Sequence, residues 1–277
     1  MRLRVGAGTD RGRIRELNED VYMLRAAQGL FVVCDGMGGA PAGEVASQIA
    51  AATILQELDQ TPDGPPFSRA DEQGCLRQTS RLAEAVRRSN HVIYTQGQRD
   101  PCQAEMGTTV VSAWLQQYIA SIAHVGDSRA YLWHNNHIEA LTRDHSLGEA
   151  LVRDEVADWK HGLDASQQNL LLRVLGGEPE VEVDVTEVPV LPGDYLLLCS
   201  DGLTRMVTDR TLGETISRLR HPQRICDHLI DAANRNGGAD NITVVVVEVM
   251  GGWWQRILNR WRRCATGGHD AEAYSEV

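Results

Sequence analysis

Four aspartates constrain this chain more than any other feature. "FVVCDG" closes an apolar run at Asp35, "SIAHVGDS" closes one at Asp127 and "YLLLCSDG" closes one at Asp201, while in "GGADNITVVVV" Asp240 stands just before one. The apolar runs read as strands buried in a sheet, so each carboxylate sits at a buried edge. One Asp-Gly after a strand is an ordinary turn. Four carboxylates crowded at a sheet edge would repel one another and take up protons unless a multivalent cation neutralises them. Oxygen ligands without clustered His or Cys favour a hard ion, Mg²⁺ or Mn²⁺, over zinc. Gly36 would let a backbone carbonyl approach that ion.

Other readings of the glycine-rich stretch "DGMGGAPAGE" fail on detail. It lacks the terminal Lys-Ser/Thr of a phosphate-cradling P-loop, and its glycines are out of register with a dinucleotide-binding G-x-G-x-x-G. An EF-hand would need acidic residues at alternate positions of one loop. In "RIRELNEDVY", Arg15 lies four residues before the pair Glu19-Asp20, and the arginine fork suits a phosphate group.

Composition excludes some partners. The net charge is −11, which argues against nucleic acid or an anionic membrane as the main partner, because phosphate backbones need a basic footprint. The six cysteines form no CxxC pair, so neither a zinc site nor a disulfide framework is legible and a reducing cytoplasm is expected. The N-terminus carries no apolar core of a signal peptide, and no stretch approaches the roughly 20 apolar residues of a membrane span.

Along the chain, "LRVGAGTD" alternates as a strand, and "DVYMLRAAQGLFVVCD" reads as a hairpin turning near Gln28-Gly29. Residues 42–60 and 70–98 carry helical spacing on either side of a Pro/Gly loop at 61–68. Short strands follow in "TTVVSAWL", "YIASIAHVGD", "RAYLWHN" and "HIEALT", and later in "VEVDVTEVPV", "DYLLLCSD" and "NITVVVVEV". Helices are expected at about 209–219 and 222–236. The fold class is α+β, with a central antiparallel β-sandwich and helices packed outside. Because the aspartates are far apart in sequence, residues 1–249 are expected to close as one unit.

The stretches "RELNED", "VVCDGMGG", "MGTTVV", "AHVGDSRAYLW", "LTRDHSL", "LLLCSDGL" and "ADNITVVVV" together resemble the metal-dependent serine/threonine protein phosphatases of the 2C type, in their bacterial single-domain form. The resemblance implies a four-layer α-β-β-α sandwich with a dinuclear Mg²⁺/Mn²⁺ site at one end. It implies that Asp35 bridges two metals, that Gly36 offers its carbonyl to one, and that Asp201 and Asp240 complete the other. Glu19 would act through metal-bound water with Asp20 behind it, Arg15 would bind phosphate, and Asp127 would hold a third, weaker ion. The implied reaction is hydrolysis of phosphoserine and phosphothreonine in proteins by in-line attack of a metal-bridging hydroxide, opposing a bacterial Ser/Thr kinase. Competing readings are a catalytically weak scaffold of the same fold and a phosphatase of a non-protein phosphoester.

Two departures from the family pattern stand out. Met37 occupies the place where some members carry a proton-donating His, which leaves the general acid unassigned. The flap, about 146–175, lacks the usual His-Pro form; Asp164 is the nearest carboxylate there for a third ion, and substrate choice is expected to reside in this segment. His124, His145, Thr108, Thr109, Trp114 and Trp133 read as structural rather than catalytic, and Arg143 and Lys160 as solvated loop charges. The tail, 250–277, contains "WWQRILNRWRRC", a short basic amphipathic segment in an otherwise flexible stretch, expected either to pack back on its own domain or fray, or to dock on a partner or a membrane surface.

Overall fold

The computed structural model describes residues 1–37, 42–60, 74–153 and 165–251. Its strands, in chain order, are β1 (Arg2–Asp10), β2 (Asp20–Arg25), β3 (Leu30–Met37), β4 (Gly107–Thr108), β5 (Val110–Gln116), β6 (Ile119–Val125), β7 (Arg129–His134), β8 (His137–Ala140), β9 (Asp184–Pro189), β10 (Tyr195–Cys199) and β11 (Ile242–Met250). One sheet runs β1-β11-β10-β7-β8, and the other runs β2-β3-β5-β6-β9 with β4 paired to β3. Every pairing is antiparallel.

The helices are α1 (Ala42–Gln60), α2 (Arg77–Arg99), α3 (Leu147–Arg153), α4 (Ala165–Gln168), α5 (Asp201–Thr204), α6 (Asp209–Leu219) and α7 (Pro222–Arg235). They lie outside the sheets, so three apolar layers result. Phe31, Val33, Val111, Leu196, Leu198, Val245 and Val247 interdigitate between the two sheets. On the outer face of the second sheet Leu30, Val32 and Trp114 pack with Ile54, Leu82 and Ile93 of α1 and α2. On the outer face of the first sheet Tyr131, Trp133, Leu197 and Val246 pack with Leu212, Ile225 and Leu229 of α6 and α7. Strands such as β11, covered on both faces, therefore read as unbroken apolar runs instead of alternating ones. Each fully buried side chain of this size stabilises by roughly 1.5–3 kcal/mol.

Most elements lie where the sequence puts them. The β2–β3 hairpin turns at Gly29, whose φ of 74 only glycine adopts freely, and whose Cβ would lie 2.2 Å from the Leu115 carbonyl oxygen. Cys34, Cys199 and Cys226 are free thiols buried among apolar neighbours. β9 is shorter than the alternating run 181–190 that announces it. The amphipathic tail segment, Lys160 and Asp164 fall outside the described residues.

Antiparallel pairing carries the four aspartates to one end of the sandwich. β10 ends where β11 begins, with Cys199 opposite Val244, so Asp201 and Asp240 flank one sheet edge. In the other sheet Val33 lies opposite Val111 and Val110 opposite Val125, which brings Asp35, near the end of β3, and Asp127, just after β6, to a common edge.

His124 and His145 are structural, as their positions suggest. Their rings stack at 4.7 Å between centroids, and the His145 main-chain N–H and Nδ1 bond the carbonyl oxygen and N–H of Gly126. Burial, reinforced by His145, pushes the His124 imidazole down to about 3. A folded-state pKa below the unfolded value near 6.5 makes this contribution complete above pH 6.5 and progressively lost as pH falls toward 3. Between pH 7.5 and 5.5 the wild-type chain, free of metal, should lose about 1.4 kcal/mol more unfolding free energy than His124→Leu. Urea unfolding of both proteins at the two pH values measures that difference.

Candidate metal centre

A cleft of about 360 Å³ at this end is lined by Arg15, Glu19, Asp35, Gly36, Met37, Thr109, Asp127, Asp201, Arg205, Asp240 and Asn241, with Asn169, Leu170 and Leu171 from the segment before β9. Among the described residues, those expected from sequence to serve catalysis or metal binding therefore border one cavity, except Asp20. Asp20 lies one layer deeper, directly across from Asp35 in the β2–β3 register. It is buried and accepts a 2.7 Å hydrogen bond from the Ser200 hydroxyl.

Local structure explains how each group is held. Asp35 sits near the end of β3, where its N–H donates to the Thr109 hydroxyl at 3.2 Å. Its carbonyl oxygen accepts from the Thr108 hydroxyl and the Thr109 N–H, each at 2.9 Å. Thr109 is fixed in turn by a 2.7 Å bond with Ser128 beside Asp127. The two threonines thus brace the main chain of Asp35. Gly36 is required sterically: a Cβ there would lie 2.2 Å from the Gly43 carbonyl oxygen and 2.8 Å from the Glu19 carbonyl oxygen.

Asn241 ties the N-terminal loop to the start of β11. Its side-chain oxygen accepts from the Glu19 N–H at 2.8 Å, and its amide donates to the carbonyls of Arg11 at 3.0 Å and Leu17 at 2.9 Å. Asn241→Ala would leave these main-chain groups unpaired, at ~1–3 kcal/mol for each buried one. We expect a loss of about 2–3 kcal/mol in unfolding free energy, measured by chemical denaturation, with weakened divalent-ion binding because Glu19 loses its anchor.

The electrostatics reveal what the cleft needs. Burial, followed by the charges of Asp20, Asp201, Asp127 and Asp240, pushes the Asp35 carboxyl well above its usual range. Burial also raises Asp20 and Asp127 to about 7 and lifts Glu19 and Asp201. Glu19 Oε1, Asp20 Oδ1 and Asp201 Oδ1 are buried without a hydrogen-bond partner. Orphaned carboxylate oxygens with raised pKa values are a donor set for a hard cation, since coordination supplies both the charge and the missing partners. The residues present therefore fit divalent ions of the Mg²⁺/Mn²⁺ type.

Two arginines already reach into the cluster. Arg15 donates to Asp240 at 2.8 Å and keeps half of its side chain exposed. Arg205, which the sequence reading missed, contacts Asp201 and stands 3.6 Å from both Asp127 and Asp240. Among the described residues no three His, Cys, Asp or Glu side chains converge on one point as placed, and the Arg205 guanidinium stands between three of the carboxylates. Its signal in the sequence was its spacing, one helical turn beyond Asp201. Asn241 and the Thr109–Ser128 pair left no such signal. Met37, whose thioether cannot donate a proton, also lines the cleft. Arg143 lines a separate cleft with Glu182 and Asp184.

Comparison with known proteins identifies the family and the fold. The family model for protein phosphatase 2C matches residues 7–243. The serine/threonine phosphatase stp of Listeria monocytogenes is 40% identical over 244 residues, which is 87% of this chain and 93% of that protein. The crystal structure of the Mycobacterium tuberculosis serine/threonine phosphatase PstP/Ppp superposes with a TM-score of 0.78 at 35% identity, covering 91% of this chain and 100% of that one. A structure of the PstP catalytic domain, in complex with two manganese ions, superposes with a TM-score of 0.76 at 35% identity and covers 90% of this chain and 99% of that one.

Proposed function

The chain belongs to the protein phosphatase 2C family and is a metal-dependent serine/threonine protein phosphatase; from that premise we propose how its own residues divide the work. Asp35, the Gly36 carbonyl, Asp201 and Asp240 would hold two Mg²⁺ or Mn²⁺ ions, with Glu19 in support. The observation that carries this reading is the crowding of buried carboxyls at one cleft: Glu19, Asp20 and Asp201 each hold a partnerless oxygen, and burial with neighbouring charge raises Asp35 as well. Bound there, divalent ions acidify water and offset the charge of a phosphoryl group.

Everything else falls to the protein. Arg15, bonded to Asp240 through one terminal nitrogen and half exposed at the cleft, grips two phosphate oxygens with its planar fork. Asp20 acts behind Asp35, and the Ser200 hydroxyl holds it in place. The bracing threonines keep Asp35 from turning away when charge in the cleft changes. Asn169, Leu170 and Leu171 border the same cleft, so the residues flanking a phosphoserine or phosphothreonine meet this segment. Leu170 and Leu172 are more than half exposed, which favours apolar flanking residues.

The natural substrates in this reading are phosphoproteins made by a Ser/Thr kinase. Among the described residues no helix is long and apolar enough to cross a membrane. Phosphate release from phosphoserine and phosphothreonine peptides, measured beside a small aryl phosphate with Mn²⁺, with Mg²⁺ and with chelator, tests the proposal. Turnover of peptides that chelator abolishes and added ion restores is expected. Release of phosphate from peptides in chelator would refute the metal assignment.

A further inference from the structure

Arg205 is the residue of the cleft that the two-ion reading leaves without a task. It caps the one-turn helix α5, and its main-chain N–H bonds the Asp201 carbonyl oxygen at 2.9 Å. The i,i+4 spacing then lays its side chain back over Asp201. One terminal nitrogen, Nη2, contacts Asp201 and stands 3.6 Å from Asp127, while Nη1 stands 3.6 Å from Asp240. The guanidinium thus lies between Asp201 and Asp127, the carboxylate expected to hold a third ion.

We propose that Arg205 takes the place of a third metal ion, a cation built into the chain that neutralises Asp127 and Asp201 and keeps divalent ions out of the space between them. The inference rests on the two-ion reading. Five carboxylates and two guanidinium groups line the cleft, a formal charge of three negative units. Two divalent ions turn this into one positive unit, suited to receiving a phosphate dianion. A guanidinium cannot lose its charge at any working pH, and here it contacts Asp201 while standing 3.6 Å from Asp127, close enough to offset both charges. The Arg205 side chain is about one third exposed, so its removal opens a space between two carboxylates instead of a hole in the core.

Equilibrium dialysis of the full chain against Mn²⁺, carried to saturation with bound ion counted by atomic emission and free ion by electron paramagnetic resonance, reads the stoichiometry directly. Wild type and Arg205→Lys should bind two ions per chain. Arg205→Ala, verified as folded by circular dichroism, should bind a third, weaker ion, and Asp127→Asn added to it should return the count to two. Three ions on the wild-type chain would overturn the proposal without any variant, and so would a count of two on Arg205→Ala. Fewer than two ions on the wild type would instead overturn the two-ion reading on which it rests.

Discussion

Asp35→Asn will lower turnover of phosphopeptides by about 10³-fold or more and leave the protein folded. In the metal-free fold the Asp35 carboxyl is destabilised by burial and by the charges of Asp20, Asp201, Asp127 and Asp240. An amide of nearly the same shape removes that conflict, and the main-chain bonds to Thr108 and Thr109 that hold the strand end do not involve the side chain. Thermal unfolding in chelator should therefore show the variant no less stable than wild type. The difference emerges with metal. Ions that bind only the native state raise its stability by an amount set by their concentration and affinity, so Mn²⁺ should raise the wild-type midpoint and leave Asp35→Asn nearly unmoved. Wild-type turnover in the variant, or an equal rise with Mn²⁺, would remove Asp35 from the metal site.

Gly36→Ala should fail differently, through the fold. The methyl group would stand 2.2 Å from the carbonyl oxygen of Gly43, 2.5 Å from its carbonyl carbon and 2.8 Å from the carbonyl oxygen of Glu19. All three are main-chain atoms, which cannot swing aside as a flexible side chain can. A Cβ on Gly43 would meet the Glu19 carboxyl at 2.8 to 2.9 Å, so β3, the first turn of α1 and the Glu19 loop touch through hydrogen alone. Forcing them apart should cost about 3 kcal/mol, read as a fall of roughly 6–12 °C in Tm for a chain of this size. Divalent-ion affinity should fall with it, because Glu19 and the Gly36 carbonyl move together. An unchanged midpoint would show that the contact relaxes at no cost and that glycine is not needed there.

The two variants separate what the sequence made legible from what it did not. The apolar runs around Cys34, Val125, Leu198 and Val244 announced strands covered on both faces, and antiparallel sheets could then be expected to carry their end residues to a common edge. Asp35, Asp127, Asp201 and Asp240 could be picked out because a charged group at the end of such a run is conspicuous. Arg15 and Glu19 gave only a weak signal in "RELNED", through the arginine fork four residues before a carboxylate pair, until that stretch was joined to the other motifs. Asn241 was hidden, since an asparagine beside Asp240 gives no sign that it will span Glu19, Arg11 and Leu17. The brace of Thr109 on Ser128 joins residues 19 apart, and hydroxyls at strand ends are too common to carry a signal.

The sequence by itself determined the donor chemistry on offer: carboxylate oxygens without clustered histidine or cysteine, on strands whose β-branched, apolar composition commits them to a buried sandwich. That follows from local composition and periodicity, which act on neighbours along the chain. Only the tertiary structure decided how the charge of those ligands is met. It turned Arg205 onto Asp201, Asp127 and Asp240, put Arg143 beside Glu182 and Asp184 in another cleft, and left Met37 where a proton donor could have stood. The reason is physical: Coulomb energies depend on distance and burial, and loops joined across two sheets fix both only when the sheets have packed.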